Sequence, residues 1–241
     1  FFRILPMVRQ RDGLRNVLNN YESFETIVDT LEHDVRFCMY PEGRHRAAHS
    51  LLPLGKGILR AAVAANNRFG DKKPIYIVPV GIEYGDYFRY RSTSLLTFGE
   101  PINVTEFVKG LDTENDVQMI EPLRKELAAR MSKLITFLKD DENLYKKWAL
   151  TKMLAIDKGL DYGNFGTSLY KSMLENRAIA SSIDNACEEK ASKMEDLLEK
   201  VESFEKKRKK KGMSIYSFTK KNTPLRAVGK AFAVLIGLPY Y

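Results

Sequence analysis

Residues 35–46 read VRFCMYPEGRHR, an apolar run followed by a Pro-Glu-Gly turn and a basic tail. The apolar run predicts a buried strand over Val35–Tyr40, which ends at the turn because proline and glycine interrupt regular structure. Upstream, residues 1–8 form another strand-like run, and residues 14–32 carry apolar side chains at helical spacing. A strand, a helix and a second strand joined over this distance predict a parallel pair with a right-handed crossover.

The same alternation continues to about residue 110. An alanine-rich helix is predicted over Lys56–Asn67, a strand over Pro74–Tyr84 and a short strand over Leu95–Phe98. We therefore predict an α/β domain over 1–110, with a mixed, mostly parallel sheet flanked by helices.

Beyond residue 110 the pattern becomes helical, which predicts a C-terminal helical extension over 111–212. Within it, 186–211 carries a narrow apolar stripe among charges, typical of a solvated helix in a helical hairpin. Residues 213–241 are basic and apolar, and we predict that they associate with a membrane because basic residues flank an apolar run at 225–238. That run is shorter than the ~20 residues of a spanning helix, so a truncated transmembrane segment, an interfacial helix and a buried terminal helix all fit.

Composition indicates a folded domain with anionic partners. The chain has 241 residues, 44% of them hydrophobic, and a formal net charge of +8. Cys38 and Cys187 are far apart and read as reduced thiols, and the three histidines are too scattered for a metal site. The basic run at 206–211 lacks interleaved aromatic residues and follows acidic ones, which favours a solvated helix end or lipid contact over nucleic-acid binding.

Two loops carry the candidate site, because each follows a strand of the predicted parallel pair and both therefore lie at the carboxyl edge of the sheet. Arg9 follows the first strand, and its guanidinium suits a phosphate monoester. After the second strand, Gly43 permits a tight turn, Glu42 can orient an arginine or accept a hydrogen bond from a substrate hydroxyl, and Arg44 and Arg46 add positive charge. A basic surface loop with a turn glycine fits the second loop about equally well.

Four short segments resemble motifs of the glycerol-phosphate and 1-acylglycerol-3-phosphate (lysophosphatidic acid) acyltransferases. They are LPMVR at 5–9, YPEGRHR at 40–46, LLP at 51–53 and IVPV at 77–80. They stand in the family's order and cover about the first 110 residues. The resemblance implies that Arg9, Pro41, Glu42, Gly43, Arg44 and Arg46 bind a glycerol phosphate, and that residues 78–80 help to shape the acyl-binding side.

The family's first motif, the catalytic H-x-x-x-x-D dyad, has no counterpart in this sequence, since no histidine is followed five positions later by an aspartate. We expect the dyad upstream of Phe1 in a chain cut at both ends, and we expect the fragment alone to be inactive. The family's third-motif arginine is replaced by His45, which is disfavoured as a substitute base because nothing positions an acid behind it. No catalytic residue is therefore predicted within the chain.

The predicted function is transfer of a fatty acyl group to 1-acylglycerol-3-phosphate or glycerol-3-phosphate in phospholipid synthesis. The resemblance implies acyl-CoA or acyl-carrier protein as donor, no cofactor or metal, and a location at the cytoplasmic face of a membrane. The predicted partners are thus the glycerol-phosphate acceptor, the acyl thioester and the lipid surface, with no nucleic acid. A non-catalytic phosphate- or lipid-binding membrane module is the alternative.

Overall fold

The computed structural model describes residues 20–43, 46, 49–84, 93–113, 115–158, 169–213 and 215. The chain divides into two compact units, the first comprising residues 1–83 and 94–135 and the second comprising 84–93 and 136–241. The division predicted at residue 110 cuts through the first unit.

The first unit contains helices and short strands in alternation. They are α1 (Asn20–Glu32), α2 (Gly57–Phe69), β1 (Tyr76–Ile77), β2 (Val80–Tyr84), β3 (Ser94–Phe98), β4 (Ile102–Asn103), α3 (Val104–Lys109) and α4 (Asp116–Ser132). Strand β1 pairs with β4 in antiparallel register, Tyr76 opposite Asn103 and Ile77 opposite Ile102, and β2 pairs with β3.

The predicted parallel pair falls only partly within the described residues. Residues 1–8, the first strand of that pair, lie outside them, and residues 35–40 are described with neither helical nor strand structure. A strand is defined by its ladder to a neighbour, so the mostly parallel sheet stays a prediction.

The core of the first unit lies where α2 and α4 pack together with the β1–β4 pair. Leu59 on α2, Leu123 on α4 and Val104 at the start of α3 are fully buried there. Two helix starts are capped as their sequences suggest: the Asn103 side chain accepts a hydrogen bond from Glu106 N at 3.2 Å, and Asn115 accepts one from Val117 N at 2.9 Å. Helix α4 belongs to this unit because its apolar face completes the core, which is why the first unit extends beyond residue 110.

Helices α1 and α2 are joined at the surface by Arg68 near the end of α2. Its guanidinium contacts Asp29 at 2.5 Å and also pairs with Glu25, both on α1. The hydrogen bonds to Asp29 and Glu25 raise the pKa of Arg68. Val28 of α1 is buried in the same apolar cluster as residues of α2, so the two helices are held by apolar packing as well as by charge.

The described part of the second unit is built mainly from three helices. It contains α5 (Leu144–Asp157), α6 (Leu169–Glu189) and α7 (Ala191–Lys210), and the break at Lys190 makes α6 and α7 a helical hairpin. The core is formed by aliphatic side chains from all three helices: Ala149, Leu150, Ala155, Ile179, Ile183, Leu198 and Val201. Within the described ranges no helix combines the length and the apolar character needed to cross a bilayer. The predicted membrane-associating segment lies outside them, apart from Met213 and Ile215.

A buried ion cluster also holds the second unit together. Lys147 on α5 is 1% exposed, and its Nζ lies 2.7 Å from Asp141 and 2.6 Å from Asp184. Asp184, on α6, also accepts a hydrogen bond from Lys139 N at 2.9 Å. Burial alone would lower the pKa of Lys147, but the hydrogen bonds and charges of Asp141 and Asp184 outweigh it and raise the pKa. The cluster therefore ties the segment before α5 to α6 through a charged lysine.

Candidate functional site

The candidate site centres on a β-turn at Tyr40–Gly43. Gly43 N donates to Tyr40 O at 3.3 Å, with proline at the second position of the turn and glycine at the fourth. Gly43 has φ of 64°, in the left-handed region that residues with a side chain adopt only at a cost. A Cβ atom at Gly43 would meet nothing within 4 Å, so the glycine is required for its backbone conformation rather than for space. The predicted turn is confirmed.

The turn is fixed to the segment that leads into α2. The Glu42 carboxylate accepts a hydrogen bond from Leu52 N at 3.0 Å, and Pro41 O accepts one from Gly55 N at 2.7 Å. The segment is itself anchored, because Leu52 and Leu54 are buried. A turn held at two points in this way keeps its backbone groups in one orientation.

Sequence reasoning missed Leu52 and Gly55 as the partners that hold the turn. It assigned Glu42 an arginine or a substrate hydroxyl, whereas in the described structure one carboxylate oxygen accepts the Leu52 N–H. The signal was present in the glycine at position 55, where a Cβ would lie 3.1 Å from Pro41 O and crowd the turn. Recognising it requires knowing that the two segments meet, which spacing along the chain does not reveal.

Of the predicted phosphate-binding arginines, some are among the residues that the structure describes and others are not. Arg9 and Arg44 lie outside the described residues, as does His45. Arg46 is described and half-buried, three positions beyond Gly43. Pro41, Glu42, Gly43 and Arg46 are therefore the predicted site residues with a structural context, and the meeting of Arg9 with the turn stays a prediction.

The segment predicted to shape the acyl-binding side, residues 78–80, comprises the break between β1 and β2 and the first residue of β2. Val78 is exposed, Pro79 is buried, and Pro79 O accepts a hydrogen bond from Gly99 N at 2.9 Å. The predicted strand over Pro74–Tyr84 is thus two short strands interrupted at Val78 and Pro79, because proline has no N–H to donate to a ladder. Among the residues with a described position, no three metal-ligating side chains of the His, Cys, Asp or Glu type cluster together.

Comparison with known proteins finds a family match for the segment that contains the Tyr40–Gly43 turn. The acyltransferase family model matches residues 3–83, from the Arg9 region through α2 to β2. Residues 3–83, about a third of the chain, are thus similar to the acyltransferase family.

Two curated proteins of Saccharomyces cerevisiae share the acyltransferase segment. Glycerol-3-phosphate O-acyltransferase 2 is 32% identical over 87 residues, which is 36% of this chain and 12% of that protein. Glycerol-3-phosphate O-acyltransferase 1 is 28% identical over 81 residues, 34% of this chain and 10% of that protein. The match thus spans about a tenth of the length of each relative, and no solved structure matches the chain. The resemblance to glycerol-phosphate acyltransferases is confirmed for this segment.

Proposed function

We propose that this chain is part of an enzyme that transfers a fatty acyl group from acyl-CoA or acyl-carrier protein to glycerol-3-phosphate or its 1-acyl form. The observation that carries the proposal is the acyltransferase match over 3–83, which includes a turn with a fixed backbone at Pro41–Gly43. Both yeast relatives are named for acylation of glycerol-3-phosphate, which supports the choice of acceptor class.

In the proposed reaction, Arg9, Arg44 and Arg46 neutralise the phosphate of the acceptor next to the Pro41–Gly43 turn. Guanidinium groups suit this role because their planar donors match phosphate oxygens in pairs. The anchored turn contributes by holding its backbone in one orientation before the acceptor arrives, which reduces the ordering cost of binding.

The general base of the proposed reaction is the histidine of the family's H-x-x-x-x-D motif, which residues 1–241 do not contain. The hydroxyl oxygen of the acceptor attacks the thioester carbonyl carbon, and the histidine accepts the hydroxyl proton. A C–O bond forms, the C–S bond breaks, and the thiolate leaves and is protonated, so an ester and a free thiol result. No metal or further cofactor is part of this proposal.

We place the reaction at the cytoplasmic face of a membrane, because the acylated product is a lipid and the chain is basic, with a formal net charge of +8. The apolar run at 225–238, flanked by basic residues, supports the same location.

The test is an acyl-transfer assay on the full-length gene product, with labelled glycerol-3-phosphate or its 1-acyl form and an acyl-CoA. Arg9→Ala should raise the KM for the acceptor by about tenfold to a hundredfold, because a charge-assisted hydrogen bond contributes about 1.5–3 kcal/mol. Arg60→Ala is the matched control, since Arg60 is an exposed arginine of α2, and it should leave the KM unchanged.

Ester formation that requires the thioester supports the proposal, and an unchanged acceptor KM in Arg9→Ala refutes the role of Arg9. Binding of glycerol-3-phosphate without any turnover would instead establish the non-catalytic phosphate-binding module.

A further inference from the structure

The C-terminal end of helix α7 is completed by a glycine motif and a single arginine. Gly212 has φ of 62°, its N–H donates to Lys209 O at 3.0 Å, and Met213 N donates to Arg208 O at 3.1 Å. This is the Schellman arrangement, which satisfies carbonyls that a helix end otherwise leaves free. The Arg208 guanidinium pairs with Glu205 at 2.7 Å and donates to Met213 O at 2.5 Å. The fold of this helix end therefore needs no other basic side chain.

Four further lysines surround this end: Lys207, Lys209, Lys210 and Lys211, which we call the basic end of α7. All four are exposed, and among the described residues none has an acidic side chain within ion-pair distance. By contrast, Lys206 pairs with Glu202 at 2.6 Å and Arg208 pairs with Glu205. The acidic residues of α7 all precede position 206, so within the described part of the chain no carboxylate pairs with the basic end.

Helix α5 adds a cation to the same region of the second unit. Lys152 is half-buried, with its Nζ 5.6 Å from the centre of the Trp148 ring. Burial lowers the pKa of Lys152; the charge of Glu205 opposes this, and the charges of Arg208 and Lys209 lower the pKa further. Helix α5 thus places a half-buried lysine close enough to Arg208 and Lys209 for their charges to act on it.

We propose that the basic end of α7 is a docking surface for an anionic lipid membrane. Lysines on a helix end attract acidic lipid headgroups without specific geometry, which suits four exposed ammonium groups. The run lacks the interleaved aromatic residues on which single-stranded nucleic acids stack. The sequence that follows also favours a lipid membrane as the partner, because residues 225–238 are apolar apart from Arg226 and Lys230.

This inference rests on the membrane location in the proposed function and names the surface responsible. The test measures lipid binding without acyl transfer, so the docking surface and the acyltransferase reaction can fail independently. The 241-residue chain is sedimented with phosphatidylcholine vesicles that contain either no acidic lipid or about one-third phosphatidylserine. Sodium chloride is set at about 0.1 M, where the Debye length is about 10 Å, and then at about 1 M, where it is about 3 Å.

Removing charge from the basic end should abolish most of the binding. The variant Lys207→Gln, Lys209→Gln, Lys210→Gln, Lys211→Gln should bind the acidic vesicles about 600-fold more weakly, since each of the four lysines near an anionic surface contributes about fivefold. Glutamine keeps the helix propensity close to that of lysine. The smaller pair Lys209→Gln, Lys210→Gln should weaken binding by about 25-fold.

The matched control is Lys193→Gln, Lys200→Gln, which removes the same charge from the exposed part of the same helix before the basic end. Its binding should stay within about twofold of the unmodified chain if position matters rather than net charge. Binding that is equal with and without phosphatidylserine, or equal losses in the two pairs, would overturn the proposal. Salt-sensitive binding to duplex DNA with none to acidic vesicles would overturn it in favour of a nucleic acid.

Discussion

Replacing Gly43 tests whether the candidate turn depends on backbone conformation. Gly43→Ala places a Cβ on a residue with φ of 64°, and no atom lies within 4 Å of the Cβ position. The penalty is therefore conformational, about 1–2 kcal/mol for an L-residue in the left-handed region. Alanine also reduces the entropy of the unfolded chain, which offsets about 0.4–1 kcal/mol.

Gly110→Ala isolates the conformational contribution. Gly110 has φ of −80°, and its Cβ would lie 3.4 Å from Phe107 O, close to an ordinary contact. Because both substitutions reduce unfolded-state entropy alike, Gly43→Ala should be less stable than Gly110→Ala by about 1–2 kcal/mol. In a domain of this size that difference corresponds to a Tm lower by about 2–8 °C in thermal unfolding followed by circular dichroism.

Gly43→Asn separates conformation from space. Asparagine tolerates the left-handed region better than alanine although its side chain is larger, so it should recover about half of the lost stability. If Gly43→Asn were less stable than Gly43→Ala, the size of the side chain rather than the backbone conformation would limit which residues position 43 tolerates. Equal stability of Gly43→Ala and Gly110→Ala would refute the conformational argument altogether.

Two predictions concern the second unit. Lys147→Met leaves Asp184 without its cation and should destabilise that unit by about 3–5 kcal/mol, measured by urea unfolding. The control is Lys146→Met, which removes a half-buried lysine of the same helix that pairs with the partly exposed Glu202. The pKa of Lys147 is raised on folding, so the contribution of its charge to the free energy of unfolding is complete below about pH 10.4 and is lost as pH rises through the folded-state pKa. A free energy of unfolding that increases above that pH would contradict the role of the ion cluster. Cys187, whose pKa is raised by burial, should react with iodoacetamide more slowly than exposed Cys38 at about pH 8, and mass mapping that finds Cys187 labelled first would contradict its burial.

The sequence predicted correctly the turns, strands and helices that depend on residues close together in the chain. The Pro41–Gly43 turn, the strand at Leu95–Phe98 and the alanine-rich helix after Lys56 all follow from residue types within a few positions, and the structure contains each of them. The helical pattern predicted beyond residue 110 is also present, since α4 starts after Asn115 and ends at Ser132.

What the sequence did not reveal depends on contacts between distant segments. Glu42 meets the backbone of Leu52 ten positions away, and no periodicity specifies that hydrogen bond. The end of the first unit near residue 135 likewise follows from packing of Leu123 and Leu127 into the core, whereas the predicted end at residue 110 followed a change in composition. Arg9 and Arg44 stay predictions from the family resemblance.

The contact between Arg68 and Glu25 has a topological consequence for the turn. It joins residues 43 positions apart, and the whole segment that carries Pro41–Gly43 lies between them. That segment is therefore a ring closed at the base by α1 and α2, whose closure entropy is already lost before any ligand arrives. Arg68→Gln would remove the charged contact at the base of the ring, while the apolar packing of Val28 against α2 would keep the ring closed.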